Sequence, residues 1–424
     1  MKRDNIKKAM LVLISIMSAL VINVFADSRD QAKRMHDRLT GVPPSNAMLD
    51  QMQLAIDSGD SIQAALYAID GAPGVEPSGG FYNVTLKNWA APWTNGSQTP
   101  FAPLNDYIAT VIGIVRDEID FRQILSGDLL YVGVTPGIPA YSNADNTHYE
   151  YLEASGEQLG DSAVLQQRSQ SSVTLIPPEG VAGVMTTRAA ARAFFIDGTN
   201  RAMFRFTLLN HFCMDLEQLK DTSRPVDRIR QDVSRSPGLD STLFLNQCVG
   251  CHSGMDPMAQ AFAYHQYDYP TEEEMPGLSQ EQREELGQMV YTPGVVQPKY
   301  HINENNFIQG YRTPNDHWTN YWRLGDNAAK IGWLNAAGNS STIDLAVNSA
   351  YSEGDGAASL GEELANTEAF ASCQVKKAFT AVCRREIRGS ERSIFDGLVS
   401  NFKSSGYNMK QIFAEIANTC SSHL

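Results

Sequence analysis

The sequence predicts a mainly α-helical protein. Apolar residues recur three and four positions apart in residues 105–130 and again in residues 360–424, which is the spacing that places them on one face of a helix. Residues that favour helix N-termini precede several predicted helices, among them Asp240 and Asn408. A chain of 424 residues is long enough to bury a large core, and its length favours two or three domains.

The first 26 residues have the three parts of a secretory signal peptide. A basic segment precedes an apolar run over residues 9–21, and Val24-Phe25-Ala26 is a small-residue cleavage site. The alternative is a retained membrane anchor, but a spanning helix needs about 20 apolar residues. We therefore expect residues 1–26 to be removed, the mature chain to have no membrane span, and the protein to be periplasmic or secreted.

The mature chain is expected to be strongly acidic. The full sequence has a formal net charge of −14, and loss of the first 26 residues removes four basic residues and one acidic residue, which brings the charge to −17. Such a surface repels nucleic acid and anionic membranes, and it favours a basic protein as partner. Solubility alone is the other explanation of this charge.

Residues 27–115 are predicted to form an N-terminal region of helices and loops. Helical periodicity runs from residue 27 to about residue 58 and is broken at Pro43-Pro44. Residues 71–104 are rich in Gly, Pro and Asn but contain Trp89 and Trp93, so we expect an ordered loop that packs on these aromatic rings. A helix is expected from Asn105 to about Leu130, followed by a loop to Tyr149.

The central region, residues 116–345, begins its second helical stretch near residue 186. Apolar side chains and His211 share one helix face before residue 219, and His211 is expected to be a core histidine more than a ligand. Farther along, Asp240 or Ser241 can cap the helix that leads to the most informative segment of the chain.

That segment is Cys248-Val249-Gly250-Cys251-His252. The spacing C-x-x-C-H is the attachment signature of a c-type haem, in which two thiols bond to the porphyrin and the adjacent imidazole binds the iron. A single helical turn can present both thiols to one edge of the macrocycle. We therefore predict one covalently attached haem c, bound through Cys248 and Cys251, with His252 as the proximal iron ligand.

Two other kinds of site contain a C-x-x-C sequence. A redox dithiol belongs near a βαβ pattern, and a zinc site needs a second pair of ligands at close spacing. Neither is evident around Cys248 and Cys251. The haem interpretation is therefore preferred.

The residues after the motif predict a turn and a new helix. Gly254 permits a turn, Asp256 is a good N-cap and Pro257 suits the first helical position, so a helix is expected from Pro257 to about Tyr267. This helix would place His265 on the cofactor side. Residues 272–288 are charged and predict a solvated helix.

Residues 300–333 have the densest aromatic content of the chain. They contain His301 and His317 together with Arg312 and Arg323. A haem needs an apolar wall, and it needs cations for its propionates, so this segment fits both needs. An ordinary core layer with surface arginines explains the segment equally well.

Residues 346–424 are predicted to form a C-terminal helical module. With Cys248 and Cys251 assigned to haem, the remaining cysteines are expected to form two disulfides in an oxidising compartment. Cys373 and Cys383 would lie about 15 Å apart along one helix, whereas a disulfide needs Cα atoms within about 7 Å. The favoured pairing is Cys383 with Cys420 and Cys213 with Cys373, followed by the swapped pairing, with free thiols as the alternative.

The order of features resembles the exported single-haem proteins of planctomycete-cytochrome type. The resemblance rests on residues 120–128, 183–186 and 200–201, on Cys248 to Pro257, and on the helices from Phe370 to Phe413. In that family, helical regions flank a C-x-x-C-H-x-x-x-D-P core. The resemblance implies a periplasmic c-type cytochrome with a cytochrome c-like haem region embedded in a larger helical, loop-rich protein. The sequence Tyr264-His265-Gln266-Tyr267 departs from the family pattern and leaves the iron ligation open.

The distal iron ligand decides among three functions. His317 and His301 are the leading candidates, ahead of Met289, Met275 and His211. A strong sixth ligand suits an electron carrier with a redox partner protein, which is the preferred function. An open distal site suits a haem enzyme acting on peroxide or another small molecule. The third possibility is a binding module in which the haem mainly stabilises the fold.

Overall fold

The computed structural model describes residues 27–196, 200–226, 228–230, 233–297, 315–334 and 352–422. Within these ranges the chain is mainly helical, which confirms the predicted fold class. The predicted signal peptide, Arg312 and His301 lie outside the described residues. No described helix is both long and apolar enough to cross a membrane.

The α-helices and strands are short and follow one another closely. The helices are α1 (Ser28–Thr40), α2 (Asn46–Asp57), α3 (Ser61–Asp70), α4 (Lys87–Ala90), α5 (Asp106–Arg116), α6 (Thr147–Ser155), α7 (Gln170–Thr174), α8 (Arg188–Phe194), α9 (Asn200–His211), α10 (Ser241–Leu243), α11 (Val249–Ala259), α12 (Gln280–Glu285), α13 (Asp326–Ile331), α14 (Gly356–Ala365), α15 (Glu368–Cys383), α16 (Arg392–Ser404) and α17 (Met409–Ser422). The strands are β1 (Leu130–Gly133), β2 (Leu165–Arg168), β3 (His265–Asp268), β4 (Gln288–Tyr291), β5 (His317–Asn320) and β6 (Ser352–Asp355).

The described strands form three antiparallel pairs, β1 with β2, β3 with β4, and β5 with β6. In the third pair His317 lies opposite Asp355 and Trp318 opposite Gly354. A two-stranded sheet is too small to be stable alone, so each pair depends on the helices packed around it.

Helices from both ends of the chain pack together. Helix α17 contacts α1, α3 and α15, and its residues Ile412, Phe413 and Ile416 are fully buried. Arg34 on α1 donates a hydrogen bond to the Ser421 carbonyl at 3.3 Å. The ring of Phe81 packs edge-on against Phe413, with centroids 5.2 Å apart. The helical parts of the N-terminal region and the C-terminal module therefore share one core.

Residues 81–94 differ from the predicted loop. They form a π-helical turn (Phe81–Leu86), the short helix α4 and a 3₁₀ turn (Ala91–Thr94). Trp89 and Trp93 are four residues apart and pack against each other with ring centroids 4.5 Å apart. The Gly, Pro and Asn content of residues 71–104 is concentrated outside this stretch, which is why composition predicted a loop while burial of the tryptophans favours helical turns.

The helix predicted from Asn105 to Leu130 is shorter than expected. Asn105 caps it by accepting the backbone N–H of Ile108 at 3.0 Å, and the helix ends at Arg116. A 3₁₀ turn and strand β1 follow. The helix and the turn and strand after it all bury apolar side chains at intervals that fit a helix. Periodicity alone therefore did not show where the helix ends.

The structure pairs the cysteines as predicted. Cys213 and Cys373 form one disulfide with a Cα–Cα distance of 5.3 Å, and Cys383 and Cys420 form the other at 5.6 Å. The second bridge joins the end of α15 to the end of α17. All six cysteines lie within the described residues, and Cys248 and Cys251 are the two free thiols.

Candidate haem-attachment site

The C-x-x-C-H sequence lies inside one continuous helical segment, residues 241–259, which we call the motif helix. Asp240 caps it by accepting the backbone N–H of Thr242 at 2.8 Å, which confirms one of the two predicted caps. A π-helical turn (Phe244–Cys248) interrupts the α-helical pattern and ends at the first cysteine of the motif. Such single π turns recur at functional sites of helices.

The turn predicted at Gly254 is absent, and this prediction was wrong. The motif helix continues through Gly254 and Pro257 to Ala259, and His265 then begins strand β3 instead of lying on a helix. Gly254 is required here by packing: a Cβ at this position would collide with the indole of Trp322. Asp256 does not cap a helix, because its carboxylate is bound to other groups.

The carboxylate of Asp256 holds the imidazole of His252. Both carboxylate oxygens lie 3.0 Å from Nδ1 of His252, one turn earlier on the same helix, and the backbone N–H of Arg230 donates to Oδ2 at 3.1 Å. The Asp256 side chain is completely buried. Among the described residues, Nε2 of His252 has no hydrogen-bond partner. The ring is thus fixed through one nitrogen and keeps the other for a ligand.

The two thiols lie beside this imidazole and are partly exposed. The Cys251 Sγ is 3.6 Å from the carbonyl oxygen of Leu216, to which it can donate. Burial, followed by the charge of nearby Glu217, raises the pKa of the Cys251 thiol to about 11. A redox-active dithiol has a thiolate with a lowered pKa, typically at a helix N-terminus, whereas this motif lies within a helix. The geometry therefore disfavours a redox dithiol.

A zinc site is not supported either. Within the described ranges, no group of three or more His, Cys, Asp and Glu side chains is arranged to hold a metal ion. The two thiols and the imidazole instead match the donor set of a covalent haem, which needs no further protein ligand on the proximal side. The residues present therefore fit haem c.

Described residues between Leu216 and Arg230 contact the motif helix. The side chain of Lys220 lies against Gly250, and the Asp221 backbone N–H donates to the Gly250 carbonyl at 2.9 Å. Arg230 is almost fully buried next to the Asp256 carboxylate that its backbone contacts. The sequence of residues 216–235 contains five basic residues but also four acidic ones, and Arg224 forms an ion pair with Asp221 at 3.0 Å.

The sequence offered Arg312 and Arg323 as cations for haem propionates, with surface arginines as the equal alternative. Arg323 forms a two-point ion pair with Glu363, with both nitrogen–oxygen distances at 2.7 Å, and it contacts the ring of Trp333. It is therefore committed to the core. Lys220, which the sequence did not single out, is a cation that the structure places against the motif helix, and its distance from the motif along the chain gave no local signal of this contact.

The aromatic segment packs against the motif helix as well as contributing to the core. Trp318, Trp322 and Trp333 are buried, and strand β5 contacts the motif helix. The Trp322 indole lies over Gly254, and the Nε1–H of Trp333 donates to the Trp322 carbonyl at 3.0 Å. The segment thus contributes to the core, as one of the two sequence interpretations held, and its role as a wall for a haem stays a prediction.

The distal candidates occupy different positions. Nδ1 of His317 is 2.9 Å from Asp355 and its Nε2 is 3.6 Å from Glu353, so both ring nitrogens face carboxylates of strand β6. His211 is buried, with Nε2 3.0 Å from the Tyr107 hydroxyl, which confirms its prediction as a core histidine.

The methionine candidates are also separated by burial. Met289 is buried in strand β4, and Met275 is exposed. His265, expected near the cofactor, is buried with Nε2 2.8 Å from the Gly180 carbonyl. His301 lies outside the described residues.

Comparison with known proteins leaves the site to be interpreted from its own geometry. The chain matches no family model, no curated protein and no solved structure.

Proposed function

We propose that this chain is an exported c-type cytochrome that carries one covalent haem and transfers electrons in the periplasm. The observation that carries the proposal is the state of three side chains on one helix. Cys248 and Cys251 are unbridged while the other four cysteines are paired, and His252 is held through Nδ1 with Nε2 left for iron. This proposal agrees with the resemblance to the planctomycete-cytochrome type.

Attachment needs no leaving group. Each thiol adds across one vinyl group of the porphyrin, so that the sulfur bonds to one vinyl carbon and the proton goes to the other. Bound haem supplies one-electron redox chemistry at its iron. The chain supplies two anchoring sulfurs, a proximal imidazole fixed by Asp256 and, in Lys220 beside the motif helix, a cation that would suit a propionate.

The partial exposure of the site supports electron exchange with a partner protein. Both motif cysteines are partly exposed, so the haem edge bonded to them would lie near the surface. The net charge of −14 favours a basic partner and disfavours nucleic acid. Two disulfides and the signal-like first 26 residues support a periplasmic or secreted location.

Attachment is tested by replacing the thiols. The double variant Cys248→Ala/Cys251→Ala, produced in a strain that matures c-type cytochromes, is expected to lose all pigment that resists acidified acetone. Asn246→Ala is the matched control, because Asn246 is an exposed residue of the same helix. If the double variant retained the wild-type amount of covalent pigment, Cys248 and Cys251 would not be the attachment residues.

A haem enzyme with an open distal site is the second candidate function. The observation that favours it is the Asp256 carboxylate on His252, because such a partner makes the imidazole a stronger donor and stabilises oxidised iron. The electronic spectrum separates the two functions. Low-spin iron that is inert to carbon monoxide supports the electron carrier, whereas high-spin iron that binds carbon monoxide supports the enzyme. Loss of low-spin iron in His317→Ala or His301→Ala would identify the distal ligand, and no change in either would reject both.

A further inference from the structure

A cleft of about 480 Å³ lies between the helical turns of residues 81–94 and helix α15. Its wall includes Trp89, Trp93 and Cys213 on one side and Lys377 on the other. The cleft includes none of the motif residues and is separate from the proposed haem site. Its volume lies in the range of pockets that take small organic molecules, about 300–1,000 Å³.

Lys377 places a cation inside this cleft. Its Nζ lies 4.8 Å from the centre of the Trp93 ring, and no carboxylate within the described ranges forms an ion pair with it. Burial lowers the pKa of Lys377 to about 7, so leaving the ammonium in the cleft has a free-energy cost. A bound anion would offset that cost, because an opposite charge favours the protonated form.

The other charges around the cleft also favour an anion. Lys376 and Arg384 line it together with one acidic residue, Glu386. Lys376 and Glu386 lie 3.6 Å apart and are both exposed, so they largely neutralise each other. Lys377 and the exposed Arg384 then give the cleft a net positive charge on a chain of charge −14. Such a local reversal of sign concentrates anions at the cleft.

The walls are held in place without a ligand. The Cys213–Cys373 disulfide ties the end of α9 to helix α15. Asn210 donates to the Trp93 carbonyl at 3.0 Å, and the ring of His211 packs edge-on against Trp93 with centroids 5.4 Å apart. The cleft is therefore largely preformed, which reduces the ordering cost of binding.

We propose that this cleft binds a small aromatic carboxylate, with the carboxylate on Lys377 and the ring against the tryptophan wall. The ammonium provides a charge-assisted hydrogen bond, and the indole rings provide apolar area and favourable ring contacts. The proposal does not depend on the haem, because the cleft is built from other residues.

Titration of the mature full-length protein with 2-naphthoate tests the proposal by calorimetry and tryptophan fluorescence. Naphthoate is expected to bind with a submillimolar Kd, at least tenfold more tightly than the neutral 2-naphthylmethanol of similar shape, because a charged hydrogen bond contributes about 1.5–3 kcal/mol. Equal affinity for the two compounds, or no binding of naphthoate at millimolar concentration, would contradict it.

Variants at Lys377 locate the bound carboxylate. Lys377→Met is expected to weaken naphthoate binding about tenfold or more, and Lys377→Arg is expected to restore part of it. Lys33→Met removes an equal charge at an exposed position of helix α1 that does not line the cleft, and it is expected to change the Kd less than threefold. Circular dichroism establishes that each variant is folded. A folded Lys377→Met protein with unchanged affinity would place the ligand elsewhere and overturn the proposal.

Discussion

The Asp256 carboxylate contacts Nδ1 of His252 and leaves Nε2, the nitrogen that would bind iron in the proposed haem site. It is completely buried, and its oxygens are 3.0 Å from Nδ1. A buried carboxylate in this position fixes the ring orientation and increases the electron density that the imidazole donates. Asp256 is therefore a positioning residue for the proposed iron site.

Replacing Asp256 by Asn tests this role. Asn keeps the shape and can still accept the Arg230 N–H, but it removes the negative charge, so the reduced iron becomes easier to form. Mutation of a group that hydrogen-bonds to a metal ligand typically changes metal affinity 10–100-fold. An effect of that size on one oxidation state of the iron relative to the other corresponds to about 60–120 mV for one electron. We expect the reduction potential of Asp256→Asn to rise by this amount in a redox titration.

The matched control is Asp240→Asn at the start of the same helix. Asn and Asp cap helices about equally well, and Asp240 caps the motif helix without contacting His252. Its reduction potential is expected to stay at the wild-type value. An unchanged or lowered potential in Asp256→Asn would refute the positioning role.

At the scale of elements, the motif helix packs closely on strand β5 and on the 3₁₀ turn (Tyr321–Arg323) that follows it, both within the aromatic segment. Gly254 allows the Trp322 indole to approach the helix backbone. The contact between the motif helix and this 3₁₀ turn therefore depends on residue 254 having no side chain.

Gly254→Ala is expected to destabilise the folded protein. The added methyl group would meet the Trp322 ring, and overpacking of this kind costs about 1–3 kcal/mol. Gly397→Ala is the control, because Gly397 lies within helix α16 with no neighbour near its Cβ position and should stabilise the protein by about 0.5–1 kcal/mol. The free energy of unfolding in urea measures both. Equal stability of Gly254→Ala and wild type would show that Trp322 does not pack there.

Local patterns predicted some of these elements and not others. The C-x-x-C-H spacing predicts Cys248, Cys251 and His252 as the proposed haem site, because these residues are close together in the chain. Asp256 and Pro257 equally suit a helix start, and only the packing of Trp322 and the contact with His252 make them part of a continuous helix. Where residues are consistent with two local structures, tertiary contacts determine which structure forms.

At the scale of the molecule, helices from the two ends of the chain form a common core. Helix α17 contacts α1 and α3, and the Cys383–Cys420 disulfide anchors its end to α15. Helix rise excluded a Cys373–Cys383 bridge, and of the two pairings that remained the structure has the preferred one. The cleft at Lys377 could not be predicted from the sequence, because it is formed by residues 85–93 and 377, which are far apart in the chain.

The whole molecule also contains both proposed sites without overlap. The motif helix contacts strand β5, whereas the cleft lies between residues 81–94 and α15. Helix α9 contacts both the motif helix and α15, so it connects the two parts of the molecule. Variants at Lys377 are therefore expected to leave haem attachment unchanged.

The intact mass of the protein purified from the periplasm of a haem-maturing host tests the central claim most directly. The account predicts the mass of residues 27–424 plus one haem, less two hydrogen atoms for each of the two disulfides, with the added mass retained after denaturation. A mature protein that has the mass of the polypeptide alone, or that loses its haem on denaturation, would contradict the account.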